Sequence, residues 1–249
     1  MKQDTQRIRF VGLAFFARME PEVVAALYRI ARLYELEPGE TLFHQGDVAD
    51  SVFVVQSGGL QLVEHTADGK AVNLKLYGRG DFFGMLAISG EFRHPAGVIA
   101  AQDSEVIGLR ASELRRLVRQ YPSLGLLFID MLVEHTHHAH ERIRHLATER
   151  VGQRVARALL HFHRKFGPAD STGNTIRINL TQQDLAEFVG SAIETVNRTL
   201  RVWEDHGLIK RSRMHIELQD LEAIRGIAQG ESVDGMARLL DGVLQHGAA

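Results

Sequence analysis

The feature that most constrains this fold is a series of turns between residues 36 and 110. Glycine and aspartate recur there between short apolar segments, as in Pro38-Gly39 and Gly78-Arg79-Gly80-Asp81. Short strands separated by glycine turns at near-regular spacing are typical of a β-sandwich or barrel. The pattern therefore predicts strands at residues 41–43, 51–56, 60–65, 72–77, 98–101 and 105–109.

Helical patterns flank this β-rich region. Before it, Pro21 stands where a helix can begin, and apolar residues recur at helical spacing, so we expect residues 1–35 to form short helices. After it, residues 111–147 contain almost no glycine. We expect a short helix that ends near Tyr121-Pro122 and then a long helix from about residue 123 to about residue 146.

The long helix carries a seam of small and apolar residues that step by three and four. Such a seam packs either against the helix's own domain or against the same helix of a second copy. Small residues suit a close approach of two helices, which favours a homodimer. The seam consists of Ile129, Leu132, Thr136, Ala139, Ile143 and Leu146.

The C-terminal half has the pattern of a second compact unit. It predicts an amphipathic helix over residues 151–166, a strand near 175–179, two helices, a hairpin, and a helical tail over 219–249. In that tail, one apolar face would combine Met236, Leu239, Leu240 and Val243. The predicted domains are residues 1–122, 123–147, 148–218 and 219–249.

Charge and composition narrow the classes of protein. Residues 148–215 hold 11 Lys and Arg against 7 Asp and Glu, whereas the remainder holds 18 against 24, which hints at a polyanionic partner. The chain has no cysteine, which excludes disulfides, thiol nucleophiles and Cys-ligated zinc or iron–sulfur clusters. The apolar run at residues 10–17 is too short for a membrane span. We expect a cytoplasmic protein without a membrane partner.

The segment from residue 181 to residue 209 has the pattern of a helix-turn-helix. Thr181 and Asp184 form a cap that starts a helix, and Gly190 permits the left-handed conformation of a tight turn. A second helix is expected from about residue 192 to residue 205. The inward-facing residues of the two helices are Leu185, Ala186, Val189, Val196, Leu200 and Trp203.

The opposite face of the second helix carries Glu194, Asn197, Arg198 and Arg201. Arginine can donate two hydrogen bonds to guanine, and glutamate can accept one from cytosine. Glu194 and Arg198 are also spaced for an ordinary surface ion pair. The basic hairpin that follows favours DNA binding over that simpler interpretation; its cations are Lys210, Arg211 and Arg213.

Two stretches of the β-rich region add to this pattern: Pro-Gly-Glu-Thr-Leu-Phe-His-Gln-Gly-Asp at 38–47 and Gly-Asp-Phe-Phe-Gly at 80–84. Together with the Glu-x-x-x-Arg pattern at 194–198, they resemble the CRP/FNR family of bacterial transcription regulators over roughly residues 10–218. The resemblance implies an α+β fold with an N-terminal double-stranded β-helix (jelly-roll) effector domain, a long dimerisation helix and a C-terminal winged helix-turn-helix. It implies a homodimeric regulator, not an enzyme, which binds double-stranded DNA and contacts RNA polymerase if it is an activator.

The resemblance also assigns roles on DNA. It implies that Glu194 and Arg198 read a G·C pair and its neighbours, with Asn197 at a base or a phosphate. Ile193 stands where the CRP branch has an arginine, and the FNR and FixK branches also have a small apolar residue there, which favours a palindrome of TTGA-type half-sites. The expected phosphate contacts are Thr181, Gln182, Ser191, Thr195, Arg201, Lys210, Arg211 and Arg213.

The effector pocket departs from the cAMP pattern of the CRP branch. Gly84 is present, but Met85 replaces the glutamate that holds the ribose, and His94-Pro95 replaces the Arg-Ser pair that holds the phosphate. Arg93 lies one residue away, and the adenine-reading Thr-Ser pair aligns with Ala139-His140. These departures argue against cAMP and leave the effector unknown, with haem, another nucleotide or no ligand as alternatives.

Histidines are concentrated on the long helix, at positions 135, 137, 138, 140 and 145. Three roles are open for these histidines: solvated or dimer-flanking side chains, a haem or metal site, or a pH-responsive interface.

Two other classes of protein are alternatives to a DNA-binding regulator. One is a regulatory protein that acts through protein contacts, and the other is a metalloenzyme on a cupin-like barrel. The sequence has no HExxH, GxSxG or phosphate-loop motif, which argues against an enzyme.

Overall fold

The computed structural model describes residues 7–10, 13, 15–66, 71–90, 92–166, 175–177, 181–212 and 215–230. The chain divides into two compact units, Met1–His140 and Glu141–Ala249. The boundary falls inside the long helix. The expected apolar face of the tail at residues 236–243 and the expected phosphate contact Arg213 lie outside the described residues.

The N-terminal unit combines short helices with two four-stranded antiparallel sheets, as expected for a jelly roll. The strand orders are β1-β8-β3-β6 and β2-β7-β4-β5. The helices are a 3-10 turn at Phe16–Arg18, α1 Pro21–Ile30, α2 Leu86–Ser89, α3 Ala111–Gln120 and the first part of α4 Pro122–Thr148. The strands are β1 Ala31–Leu36, β2 Thr41–Phe43, β3 Ser51–Ser57, β4 Gly59–His65, β5 Ala71–Gly78, β6 Phe82–Phe83, β7 Gly97–Ala100 and β8 Ser104–Arg110.

The expectation of helices throughout residues 1–35 is wrong at its C-terminal end. Helix α1 begins at Pro21 as predicted, but it ends at Ile30, and the chain passes directly into β1. Strand β1 pairs along its whole length with β8, in the register Ala31 opposite Leu109. This pairing is between segments distant in sequence, so a local helical period does not reveal it.

Strand β3 is buried on both faces, which explains the apolar run at residues 52–55 in its centre. Its side chains alternate between two cores, as the pleat of a strand requires. Val52 and Val54 pack with the helices, in a cluster that includes residues of α1, α3 and α4. Phe53 and Val55 face the interior of the roll, together with Val98 of the second sheet.

The C-terminal unit is a helical core with a small antiparallel sheet. Its elements are α5 Val151–Phe166, β9 Thr175–Arg177, α6 Gln182–Val189, α7 Ile193–Asp205, β10 Ile209–Arg211, β11 His215–Leu218 and α8 Leu221–Gln229. The sheet order is β10-β11-β9. Leu159, Phe162, Leu185, Val196 and Trp203 are fully buried in this unit. The predicted bounds of α5 are confirmed, and β9 and α7 lie where the sequence predicts them.

Across the described ranges, no helix has both the length and the apolar composition needed to span a membrane.

Candidate nucleic-acid interface

Helix α6 and the turn after it have the geometry that the sequence predicts. The Thr181 hydroxyl accepts a hydrogen bond from the Asp184 backbone N–H at 3.0 Å, and the Asp184 carboxylate accepts one from the Thr181 N–H at 2.8 Å. The helix ends at Gly190, which has a φ of 63°. A residue with a side chain rarely adopts this conformation, so glycine allows the sharp turn into α7.

Helix α7 has one buried and one exposed face. Val196, Leu200 and Trp203 are buried against the unit's core, whereas Glu194 and Arg198 are exposed one turn apart. Neither Glu194 nor Arg198 has a hydrogen-bond or ion-pair partner in the part of the chain that the structure describes. The two side chains are therefore available to a ligand on the open side of the helix.

The other predicted base-reading residues lie beside this pair. Ile193 is the first residue of α7 and is half-buried. Asn197 is also half-buried, and its Oδ1 is enclosed without a hydrogen bond among the described residues. Asn197 therefore presents less of its side chain than Arg198 does.

The predicted phosphate contacts fall into two groups. Gln182, Arg201 and Lys210 are exposed. Ser191 and Thr195 are half-buried at the turn and on the first turn of α7. The Thr181 hydroxyl is already engaged, because it donates to the Asp184 carboxylate at 2.6 Å in addition to accepting from its N–H.

Arg211 differs from the other predicted phosphate contacts, because it is held by Glu204 of α7. Its Nε and Nη2 donate to Glu204 Oε2 at 2.8 and 2.6 Å. These hydrogen bonds hold the pKa of the Glu204 carboxyl below its ordinary value.

The helix-turn-helix is attached through arginines to the end of α4 and to α5. Arg142 Nη2 donates to the Phe188 carbonyl at 3.1 Å, and its guanidinium lies 4.8 Å from the centre of the Phe188 ring. Arg154 Nη2 donates to the Gly190 carbonyl at 3.2 Å. The turn that precedes the exposed face of α7 is thereby held from two sides.

Glu149 connects α4 to α5. Its side chain is 9% exposed; it lies 2.5 Å from His145 Nδ1 and accepts two hydrogen bonds from Arg157, at 2.8 and 3.2 Å. Of these contacts, only the four-residue spacing of His145 and Glu149 is readable from a helical period. The Arg142–Phe188 and Arg154–Gly190 contacts span 46 and 36 residues, so sequence periodicity does not identify them.

Two residues of the expected effector pocket, Arg93 and His94, make contacts with other residues of the N-terminal unit. The His94 ring is 5% exposed and stacks on Phe43, with ring centres 3.7 Å apart. Arg93 Nη1 donates to the Gly46 carbonyl at 2.7 Å. Burial lowers the pKa of the His94 imidazole, and the charges of Asp47 and Asp50 oppose this shift in part.

None of the remaining pocket residues carries a guanidinium or a hydroxyl group. Met85 packs against the helical core, and Pro95 is exposed. Gly84 has a φ of 75°, and a side chain there would meet the Ser51 carbonyl at 2.8 Å. Ala139 and His140 are exposed on α4. Among the residues that are described, no three His, Asp or Glu side chains come together as a metal site.

Two family models match the chain, one in each unit. The model described as a cyclic nucleotide-binding domain matches residues 33–121, and the model described as a Crp-like helix-turn-helix domain matches residues 153–227. The chain belongs to the CRP/FNR family of transcription regulators.

The similarity to known proteins extends over most of the chain. A "CRP-like cAMP-activated global transcriptional regulator" of Mycobacterium tuberculosis is 24% identical over 209 residues, which are 84% of this chain and 93% of that protein. The "Cyclic AMP receptor protein" of Thermus thermophilus is 28% identical over 222 residues, 88% of this chain and 98% of that protein. The solved structure of FixK2 from Bradyrhizobium japonicum has a TM-score of 0.69 at 20% identity and covers 82% of this chain and 98% of its own.

Membership of the CRP/FNR family confirms the main sequence predictions. The fold combines the jelly roll, the long helix and the helix-turn-helix. As a CRP/FNR regulator, the chain binds DNA through its helix-turn-helix domain and is not an enzyme.

Proposed function

We propose that this CRP/FNR regulator binds as a homodimer to a palindrome of TTGA-like half-sites and reads each half-site with Glu194 and Arg198. The observation that carries the proposal is the state of these two side chains. Both are exposed on α7, and neither is engaged elsewhere within the described residues. The opposite face of the helix is anchored by Val196, Leu200 and Trp203, so the exposed face has a defined orientation in its unit.

The chemistry of the face supports G·C recognition beside an apolar contact. The Arg198 guanidinium can donate to guanine O6 and N7, and the Glu194 carboxylate can accept from a cytosine amino group. Ile193 lacks a polar group and suits contact with a thymine methyl. Asn197 is the neighbouring contact, to a base or to a phosphate. Gln182, Ser191, Thr195, Arg201 and Lys210 position the unit on the phosphate backbone, with Thr181 at the start of α6.

The homodimer is supported by the exposed apolar side of α4. Ile129, Leu132, Ile143 and Leu146 of the predicted seam are 56%, 47%, 64% and 42% exposed in the single chain. Exposed large apolar residues in a row mark an interaction surface. Pairing of two such helices would remove this apolar surface from water, which stabilises the dimer by about 25 cal/mol per Å² buried. Thr136 and Ala139 then lie at the positions of closest approach between the two helices. If the regulator is an activator, RNA polymerase is a further partner of the dimer.

We propose that cAMP is not the effector, although two relatives carry cAMP in their names. A cyclic phosphate is best held by an arginine that donates two hydrogen bonds in parallel. Here the corresponding position is His94, whose ring is stacked on Phe43, and the adjacent Arg93 donates to Gly46. Haem, another nucleotide or no effector remain the alternatives.

The test is a fluorescence-anisotropy titration at fixed salt. The duplex carries TTGA and the inverted TCAA separated by about six base pairs, which sets the half-sites about one helical turn apart. A scrambled duplex measures non-specific binding. We expect tight binding to the palindrome that does not change when cAMP is added. Binding that requires cAMP would contradict the effector proposal.

The variant Arg198→Ala tests the base-reading role. Loss of a two-bond contact to guanine should reduce the preference for the palindrome over the scrambled duplex by roughly tenfold or more. Arg164→Ala is the matched control, because Arg164 is an exposed arginine of α5 outside the proposed interface. An unchanged preference in Arg198→Ala, with the fold intact by circular dichroism, would refute the assignment.

A further inference from the structure

The end of the DNA-reading helix is joined to the hairpin by a compact set of hydrogen bonds. Glu204 lies in the last turn of α7, and Arg211 ends β10. Glu204 Oε1 accepts the Arg211 backbone N–H at 2.9 Å, and Oε2 accepts Nε and Nη2 of the same residue at 2.8 and 2.6 Å. One carboxylate therefore holds both the main chain and the side chain of Arg211.

The alternation of β10 separates its two cations. Ile209 and Arg211 lie on the same face of the strand; Ile209 is buried, and Arg211 is directed to Glu204 of α7. Lys210 lies on the other face, where it is exposed and opposite Glu217 of β11. Within the described chain Lys210 has no ion-pair or hydrogen-bond partner. In strand β10, the Lys210 cation is therefore free of partners among the described residues, whereas the Arg211 cation is committed to Glu204.

We propose that Glu204 and Arg211 form a clamp that positions the hairpin against α7, and that Arg211 is a positioning residue and not a phosphate contact. The proposal rests on the proposed reading face of α7. The Glu204 and Arg211 side chains are 34% and 24% exposed, so the pair is partly shielded from water. Transfer of Arg211 to a phosphate would break two charge-assisted bonds and leave the Glu204 carboxylate unpaired beside a polyanion.

The salt dependence of DNA binding distinguishes a positioning residue from a phosphate contact. The logarithm of the association constant falls with the logarithm of salt concentration, with a slope of about −0.9 per neutralised phosphate. Lys210→Gln is the matched control: its slope should be shallower by about one per subunit. Arg211→Gln should weaken binding by about tenfold, the effect of losing a charge-assisted pair, and leave the slope unchanged. A slope reduced as in Lys210→Gln would overturn the proposal.

Substitution of the carboxylate provides the second test. Glu204→Gln should weaken DNA binding as Arg211→Gln does, even though it removes a negative charge near DNA. The DNA affinity of the double variant should be at most about twofold below that of whichever single variant binds DNA more weakly, because both changes break the same clamp. Binding that is unchanged or tighter in Glu204→Gln would show that Arg211 acts on DNA directly.

Hydrogen exchange measures the clamp without DNA. The amides of Arg211 and of β11 should exchange faster in Glu204→Gln and Arg211→Gln than in the wild type, with Lys210→Gln unchanged and Arg211→Lys intermediate. Equal exchange in all four variants would refute the clamp. If the wild type shows no preference for the TTGA palindrome, the proposed function fails, and the salt series on a non-specific duplex and the exchange data still test the clamp.

Discussion

At the scale of single residues, the side chains that face solvent were more accessible to prediction than those that face each other. The helical period places Glu194 and Arg198 on the side of α7 opposite Val196 and Leu200, and the structure has them exposed. The partner of Arg211 is seven residues away across a turn, and the ring that stacks on His94 comes from Phe43 of strand β2, about fifty residues earlier in the chain. Such contacts depend on tertiary packing, which no local period encodes.

His94 should make stability depend on pH. The buried imidazole has a lowered pKa, so the folded state takes up its proton at a lower pH than the unfolded state. An unfolded histidine titrates near pH 6.5, and below that pH the unfolded state binds more protons. The stability that this group contributes is therefore present above about pH 6.5. It is lost as the pH falls from about 6.5 towards and through the lower pKa of the folded state.

The variant His94→Phe keeps a ring to stack on Phe43 and removes the titration. We expect its free energy of unfolding, from urea denaturation, to decline less than that of the wild type between about pH 7 and about pH 5. His65→Phe is the control, because the His65 side chain is exposed and has no ion-pair partner among the described residues; it should retain the wild-type decline. His163, whose pKa is also lowered by burial, contributes equally to all three proteins. Equal slopes in His94→Phe and the wild type would contradict the prediction.

At the scale of elements, helices with continuous patterns were predictable to within one or two residues, and boundaries set by pairing were not. Helix α5 has the predicted bounds, and α4 begins at Pro122, where proline suits the first helical position. The two-residue strand β6 and the four-residue helix α2 are too short for a periodic signal. Strand β1 follows α1 without an intervening loop, because its pairing with β8 begins at Ala31.

The turn between α6 and α7 should strongly favour glycine at position 190. At Gly190 the φ is 63°, and an added Cβ would lie 2.8 Å from Leu146 Cδ2. Gly190→Ala should lower the free energy of unfolding by roughly 1–2 kcal/mol, most of it from the left-handed backbone, since the Leu146 side chain can move. Gly152 is the matched control, because it is helical and its added Cβ meets nothing within 4 Å.

Gly152→Ala should raise the free energy of unfolding by up to about 1 kcal/mol, because alanine has the higher helix propensity. Urea denaturation of both variants gives the comparison. The prediction for Gly190 would be wrong if its alanine variant were as stable as the wild type. A DNA titration of the same Gly190→Ala variant measures whether the turn also sets the orientation of α7.

At the scale of the whole molecule, family membership rests on two independent domains. The strand pattern and the helix-turn-helix pattern are both visible in the sequence, and each has its own family model. The sequence predicts the kind of molecule because these patterns are local. It does not reveal an effector, because the residues expected to line the pocket depart from the cAMP pattern, and the contacts of His94 with Phe43 and of Arg93 with Gly46 follow from tertiary packing.

The assembly of the molecule can be tested on the seam of α4. Ile129→Glu combined with Ile143→Glu places charges at two exposed apolar positions of the predicted interface. Burial of an unpaired carboxylate is costly, so we expect the variant to be a monomer by analytical ultracentrifugation. His138→Glu is the control, because His138 is exposed and lies on the opposite face of α4 by the 3.6-residue period. A double variant that remains dimeric would place the interface elsewhere.

The same pair of variants links assembly to DNA reading. A palindrome with half-sites about 34 Å apart lets one dimer bind both ends at once, because its two reading helices are joined. The monomeric variant should therefore lose most of its affinity for the palindrome and bind it no better than a single TTGA half-site, because the second contact is no longer intramolecular. His138→Glu should keep the full preference. If the monomer still preferred the palindrome to the half-site, its affinity would not depend on the α4 seam.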